Sequence, residues 1–290
     1  MANVLGVGIA TLDIINFVEE YPEENSEVRA STQVIKRGGN ATNTLCVLSQ
    51  LGHACHWSGV ICDNDSSTLI KSDLVKHNIR YKQSTKRSNG GMPTSYISLS
   101  KKTGSRTIVH YRDLPELDFE FFHHLDLNIF DWFHFEGRNV QNTTKMLAHC
   151  KKTYPRIPVS IEIEKPREGI ETVYDSADII IFSRVFAVSQ GFNSAIEFLE
   201  HQAKNIRDKQ LICVWGEEGA FALVSGQIFK SHALIINDVI DTIGAGDAFN
   251  AALIHARIRN LTWQATLDFA NKLAGKKCMQ IGFDNLTRHI

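Results

Sequence analysis

The stretch Asp241-Thr242-Ile243-Gly244-Ala245-Gly246-Asp247 decides how this chain is read. Its three small residues allow a tight loop, and a helix-like run follows from Ala248 to Arg257. The first-turn amides of a helix have no partners within the helix, so they form a positive pocket for an anion. Asp247 stands at the lip of that pocket, where a carboxylate can take a proton from a hydroxyl. An anion cradle beside a base is what transfer of a phosphoryl group to an alcohol requires. A bare Gly-x-Gly-Asp would read first as an ordinary glycine-rich turn with a first-turn acid. The full Asp-Thr-x-Gly-Ala-Gly-Asp is far more specific.

Outward from this motif, apolar β-branched stretches alternate with amphipathic ones. Strands are expected at Val4–Ile9, Cys55–Val60, Trp132–Phe135, Val159–Ile163, Ile179–Phe182 and Leu211–Val214. Helices are expected near Ala41–Leu51, Ser66–His77, Thr143–Lys152, Ala195–Arg207, Ala248–Arg257 and Leu261–Cys278. The alternation predicts an α/β fold, doubly wound, with a mostly parallel central sheet and helices on both faces. Two regions, about 14–36 and 93–112, break the rhythm with period-two stretches such as Thr94-Ser95-Tyr96-Ile97-Ser98-Leu99. They predict a small β-sheet lid on a single domain spanning 1–290, with surface hairpins of no role as the alternative.

The 290 residues carry 31 basic and 32 acidic side chains, a net charge of −1. That balance offers nothing to nucleic acid or to an anionic membrane. No apolar run approaches a membrane span of about 18 residues, and no signal peptide is expected at the N-terminus. The six cysteines are scattered and form no Cys-x-x-Cys pair, which fits free thiols in a reducing cytoplasm. Twelve histidines include His53-x-x-His56 and His123-His124, but no His-Glu-x-x-His occurs, so structural and surface roles are expected for them.

Three further stretches carry chemistry. In Arg37-Gly38-Gly39-Asn40-Ala41-Thr42-Asn43 the glycines permit close backbone approach to a ligand. Asn40 is expected to cap the next helix, with Asn43 one turn along the same face. Their amides donate and accept, which suits a polyhydroxylated ligand; a turn with a plain cap is the alternative. Asp13, at the end of the first strand, adds an acceptor beside the sheet crevice. Gly104-Ser105-Arg106-Thr107 puts Arg106 on the lid, able to clamp a phosphoryl group on closing. In Trp215-Gly216-Glu217-Glu218-Gly219-Ala220 the glycines would let a nucleotide lie against the backbone or would form a hairpin turn.

Gly-Gly-Asn-Ala-Thr-Asn at 38–43 and Asp-Thr-Ile-Gly-Ala-Gly-Asp at 241–247 together resemble the two signatures of the ribokinase-like (PfkB) sugar kinases, in order and separation. The ketohexokinase-like members resemble the chain most closely, through segments 21–29, 104–108, 134–139, 161–168, 215–220 and 274–278. The resemblance implies ATP-dependent phosphorylation of a ketohexose, D-fructose at C1 first. It implies Asp247 as base and Gly244, Ala245 and Gly246 as anion hole. Asp13, Gly39, Asn40 and Asn43 would hold the sugar, and Arg106 would reach the phosphoryl group. Gly216, Glu217, Gly219, Asn271, Ala274 and Arg184 would border the nucleotide. Magnesium would accompany ATP, potassium would bind at Asp241 and Thr242, and a homodimer would form through the lid strands. Asn25 stands where the ketohexokinase-like members carry an acid, Arg184 where they carry a lysine and Leu234 where they carry a phenylalanine. Alternatives are a kinase acting at fructose C6, on ribose or on a modified ketose, and a non-catalytic sugar sensor.

Overall fold

A computed structural model describes residues 1–288. A nine-stranded sheet runs from one edge as Gln227–Ser231 (β15), Ala220–Val224 (β14), Gln210–Val214 (β13), Ile179–Ser183 (β12), Val159–Ile163 (β11), Trp132–Glu136 (β10), Asn3–Val7 (β1), Ala54–Ser58 (β4) and Ile79–Arg80 (β6). From β13 to β6 every pairing is parallel. These inner strands are apolar on both faces, as Ile179, Ile180, Ile181 and Phe182 show, because helices cover both sides of a parallel sheet.

Asn40–Gln50 (α1), Ala245–Ile258 (α7) and Trp263–Cys278 (α8) pack against one another as one layer. Ala248, Ala251, Ala252 and Ala256 are fully buried and let α7 sit close between its neighbours. The remaining helices are Thr68–Lys76 (α2), Phe119–Phe122 (α3), Val140–Thr153 (α4), Arg184–Ser189 (α5) and Ala195–Ala203 (α6). Of these, α4 packs on β11, and α6 on β13 and β14.

The second sheet has the order Thr32–Gly38 (β3), Thr11–Val18 (β2), Thr94–Ser100 (β8) and Arg106–Tyr111 (β9). It is thus built from the two rhythm-breaking segments, with β2 and β3 extending beyond the expected 14–36. Its inner face buries Ile15, Ile97 and Leu99 against Phe17 and Ile243. Val60–Cys62 (β5) and Thr85–Arg87 (β7) form a separate short pair.

At one edge β14 runs antiparallel to both β13 and β15; Ser225 and Gly226, both at positive φ (49° and 79°), make the two-residue turn into β15. Two sequence expectations differ from the structure. Asp13 lies inside β2 rather than at the end of the first strand. Helix α7 starts at Ala245, not Ala248: Gly244, at φ 84°, is its cap, so the small residues are its first turn.

Candidate active site

Strand β1 pairs with β4 on one side and β10 on the other, so the sheet order reverses there. The crevice outside the carboxyl ends of the strands at such a point is where open α/β sheets bind ligands. Here Gly8 and Ile9 follow β1, Glu136 ends β10 and Glu162 lies near the end of β11. A Cβ on Gly8 would sit 2.5 Å from the Glu136 carboxyl carbon. Gly39 caps α1 at φ 106°, and a Cβ there would meet the Ile9 carbonyl at 2.2 Å. Gly39 needs glycine for its positive φ and its approach to the Ile9 backbone, whereas a side chain at Gly8 would displace the Glu136 carboxyl.

Asp247 is the third residue of α7 and is buried. Its Oδ2 accepts from Asn43 Nδ2 at 2.8 Å, which joins the two motifs across 204 positions. Asn43 Oδ1 in turn accepts from Arg37 Nη1 at 2.9 Å. Arg37 is buried, donates from Nε to Asp73 at 2.5 Å and from Nη1 to Thr42 Oγ1 at 2.6 Å. This relay fixes which end of the Asn43 amide faces Asp247. Burial pushes the Asp247 carboxyl up to about 7; the Asn43 hydrogen bond opposes the rise, and Glu164 and Glu136 add to it. A carboxylate poised near neutrality is suited to general base work.

Asn40 was expected to cap α1, but the cap is Gly39 and Asn40 is the helix's first residue. Its Nδ2 instead donates to Glu162 Oε2 at 3.0 Å and Glu164 Oε2 at 3.2 Å. Backbone geometry made the cap a glycine, which freed Asn40 for the crevice. Burial holds the Glu162 carboxyl well above the usual range, with Asp247 and Glu164 adding like charge. Burial raises Glu136 too, although Ala41 N–H donates to its Oε1 at 2.6 Å and Arg138 lies 3.4 Å from its Oε2. Asp13 is buried and accepts from Thr11 Oγ1 at 2.8 Å. A Cβ on Gly38 would meet Asp13 Oδ2 at 2.0 Å.

Across the crevice, Arg106 on β9 donates from Nη1 to Thr242 Oγ1 at 3.3 Å, so the second sheet reaches the 241–247 loop. Gly244, Ala245 and Gly246 present the first-turn amides of α7, and a Cβ on Gly246 would meet only open space. Asp241 is buried and bonded to Lys277, while its Oδ1 accepts from Ile243 N–H at 2.8 Å.

The residues expected at the nucleotide also cluster. Gly216–Glu218 is a short turn between β13 and β14, and Gly216 and Gly219 both have positive φ. Arg184 lies 3.7 Å from Glu217 and stacks over Trp215 at 5.6 Å. On α8, Asn271 donates from Nδ2 to the Ser231 carbonyl at 2.8 Å, and Ala274 follows one turn later.

Sequence reading assigned no role to Arg37, Glu136, Arg138, Glu162 or Glu164. Asn40, Glu136, Arg138, Glu162 and Glu164 line one cleft together with Arg167. The available signal was an ionisable residue within an apolar strand, as in Phe133-His134-Phe135-Glu136 and Ile161-Glu162-Ile163-Glu164.

Comparison with known proteins agrees with this architecture. The family model for pfkB family carbohydrate kinases matches residues 1–288. Mouse ketohexokinase is 37% identical over 292 residues, covering 98% of each chain. The fold is shared with ribokinase from Arabidopsis thaliana, solved with ribose and ATP, at a TM-score of 0.79 and 18% identity, covering 97% of this chain and 94% of that one. Ribokinase from Cryptococcus neoformans, solved with ADP, gives a TM-score of 0.78 at 15% identity, covering 97% and 95%. The chain is a carbohydrate kinase and belongs to the pfkB family.

Proposed function

We propose that this kinase transfers the γ-phosphoryl group of ATP to C1 of D-fructose, giving fructose 1-phosphate. The observation that supports the chemistry is the Asn43–Asp247 hydrogen bond, which brings the residues read as sugar holder and base together at a helix N-terminus. The ketohexose assignment is supported by likeness to mouse ketohexokinase along 98% of the chain.

In this reading Asn43 engages one oxygen of Asp247, and the other accepts the proton of the sugar hydroxyl. The alkoxide that develops attacks the γ-phosphorus as its bond to the β,γ-bridging oxygen breaks and ADP leaves, and the amides of Gly244, Ala245 and Gly246 stabilise the charge on the phosphoryl oxygens. Asp13, Gly39, Asn40 and Asn43 hold the sugar. Arg106 meets the phosphoryl group as the second sheet closes as a lid. Gly216, Glu217, Gly219, Arg184, Asn271 and Ala274 border the nucleotide. Magnesium bound to ATP takes only one or two protein carboxylates, and Glu162 and Glu164, which share a single Asn40 amide, would hold it. That ion would supply charge neutralisation on the phosphates.

The lid also supports a homodimer. Register places Ile35, Ile14, Tyr96 and Val109 in one row across the sheet's outer face. Ile35, Tyr96 and Val109 are 46%, 49% and 66% exposed, an apolar row that a second copy would cover. Six free cysteines, five of them buried, support a reducing, cytoplasmic setting.

Asn25 favours a second reading. It lies in the stretch between β2 and β3 at φ 61°, a conformation asparagine tolerates, and it replaces the acid of the ketohexokinase-like members. A shifted lid contact would admit a modified ketose or turn fructose to present C6. A coupled assay of ADP formation across fructose, other ketoses, ribose and glucose tests both. Brisk turnover of fructose is expected. Preference for ribose would overturn the ketohexose assignment, and no sugar-dependent ADP at all would favour a sugar sensor.

A further inference from the structure

The resemblance to sugar kinases implies a dissociable monovalent cation at Asp241 and Thr242, yet the residues around those positions do not fit one. The ammonium of Lys277, in the last turn of α8, already occupies the oxygen cluster. It is fully buried. It donates to the Asp241 carbonyl at 2.9 Å, to Asp241 Oδ2 at 3.1 Å and to the Gln280 carbonyl at 3.2 Å. Three oxygens use all three of its donors. The Phe283 ring lies 5.7 Å away as a further partner.

The remaining oxygens of the segment are also engaged. Asp241 Oδ1 accepts from Ile243 N–H at 2.8 Å, Thr242 Oγ1 accepts from Arg106, and the Thr242 carbonyl accepts from Ala245 N–H at 3.2 Å. Lys36 brings a second ammonium to 3.8 Å from Asp241 Oδ2. A metal cation placed among these groups would face two fixed positive charges.

The cluster adjoins the anion pocket. Asp241 is three residues before Gly244, and the Cys278 carbonyl anchors the amides of Ile240 and Asp241 at 2.8 and 3.2 Å. Phe283 packs so closely on Gly244 that a Cβ there would meet its Cζ at 2.3 Å. We infer that Lys277 is a positioning residue that replaces the monovalent cation: its fixed ammonium holds the loop behind the anion pocket, so turnover needs no added potassium. The inference rests on Gly244–Gly246 being that pocket.

The test compares wild type, Lys277→Met and Lys277→Arg in KCl and in tetramethylammonium chloride at equal ionic strength, reading kcat and Tm. Wild type is expected to have the same kcat and Tm in both salts. Lys277→Met is expected to lose about 10–100-fold in kcat and to recover rate and Tm in KCl, while Lys277→Arg keeps its rate in both. A wild-type kcat or Tm that rises with KCl would overturn the inference, and so would a Lys277→Met protein as active as wild type in tetramethylammonium. Should Lys277→Met fail to fold, the wild-type comparison decides alone. Should wild type turn over no sugar, the kinase reading fails while the wild-type Tm still tests the cation site.

Discussion

In the proposed mechanism Asp247 is the base, and burial and its acidic neighbours work against its charge. Replacing it by asparagine removes the proton acceptor and keeps the shape. Asp247→Asn is expected to lower kcat by about 10²–10⁴-fold, with ATP affinity within about tenfold. A variant retaining more than about a tenth of wild-type rate in steady-state kinetics would remove Asp247 from the role of base. The same group predicts a stability change of definite sign. Its folded pKa, about 7, lies above the unfolded value of about 3.9, so the folded state binds the proton more tightly. The stability this contributes is fully present below about pH 4 and is lost as pH rises through 7. Without ligands, Asp247→Asn should therefore melt several degrees above wild type at pH 8, and the gap should close towards pH 5. Calorimetry showing Asp247→Asn the less stable at pH 8 would contradict the placement of this carboxylate among like charges.

At the scale of elements, the second sheet delivers Arg106 from β9 to the loop before α7. If closure brings its guanidinium to the phosphoryl group as charge develops, Arg106→Ala should lower kcat more than it weakens fructose binding. A raised KM with kcat unchanged would make Arg106 a ground-state sugar contact instead. Much of this arrangement was legible in the sequence. The buried strands β10 to β13 announced themselves as short β-branched runs, and the glycine motifs announced the loops. The start of α7 was misread because glycine is a poor helix former, and nothing local shows that Gly244 is a left-handed cap. Arg37, Glu136, Glu162 and Lys277 passed as ordinary polar residues. Their meaning lies in partners that only the fold brings together: Glu162 meets Asn40 across 122 positions and Lys277 meets Asp241 across 36. Asn40 looks like a cap from its neighbours alone, because its partners Glu162 and Glu164 lie 122 and 124 positions away.

For the whole molecule, the second sheet's two faces divide the work, the inner one packing on Ile243 and the outer one carrying the exposed apolar row of Ile35, Tyr96 and Val109. A charge in the middle of the outer row should separate the protomers of the proposed homodimer. Tyr96→Asp is expected to sediment as one chain of 32.6 kDa, and wild type as two. A monomeric wild type would leave the exposed row without the partner assigned to it. The crevice between the two sheets is polar where a sugar would lie, at Asp13, Asn40 and Asn43, and a site of buried donors and acceptors discriminates strongly between hydroxyl patterns. The hydroxyl that receives the phosphoryl group is identified by incubating the enzyme with ¹³C-fructose, ATP and magnesium and recording ³¹P and ¹³C spectra of the product. Phosphorus coupled to C1 is the predicted result; phosphorus coupled to C6, or no phosphorylated fructose beside rapid turnover of another sugar, would contradict it.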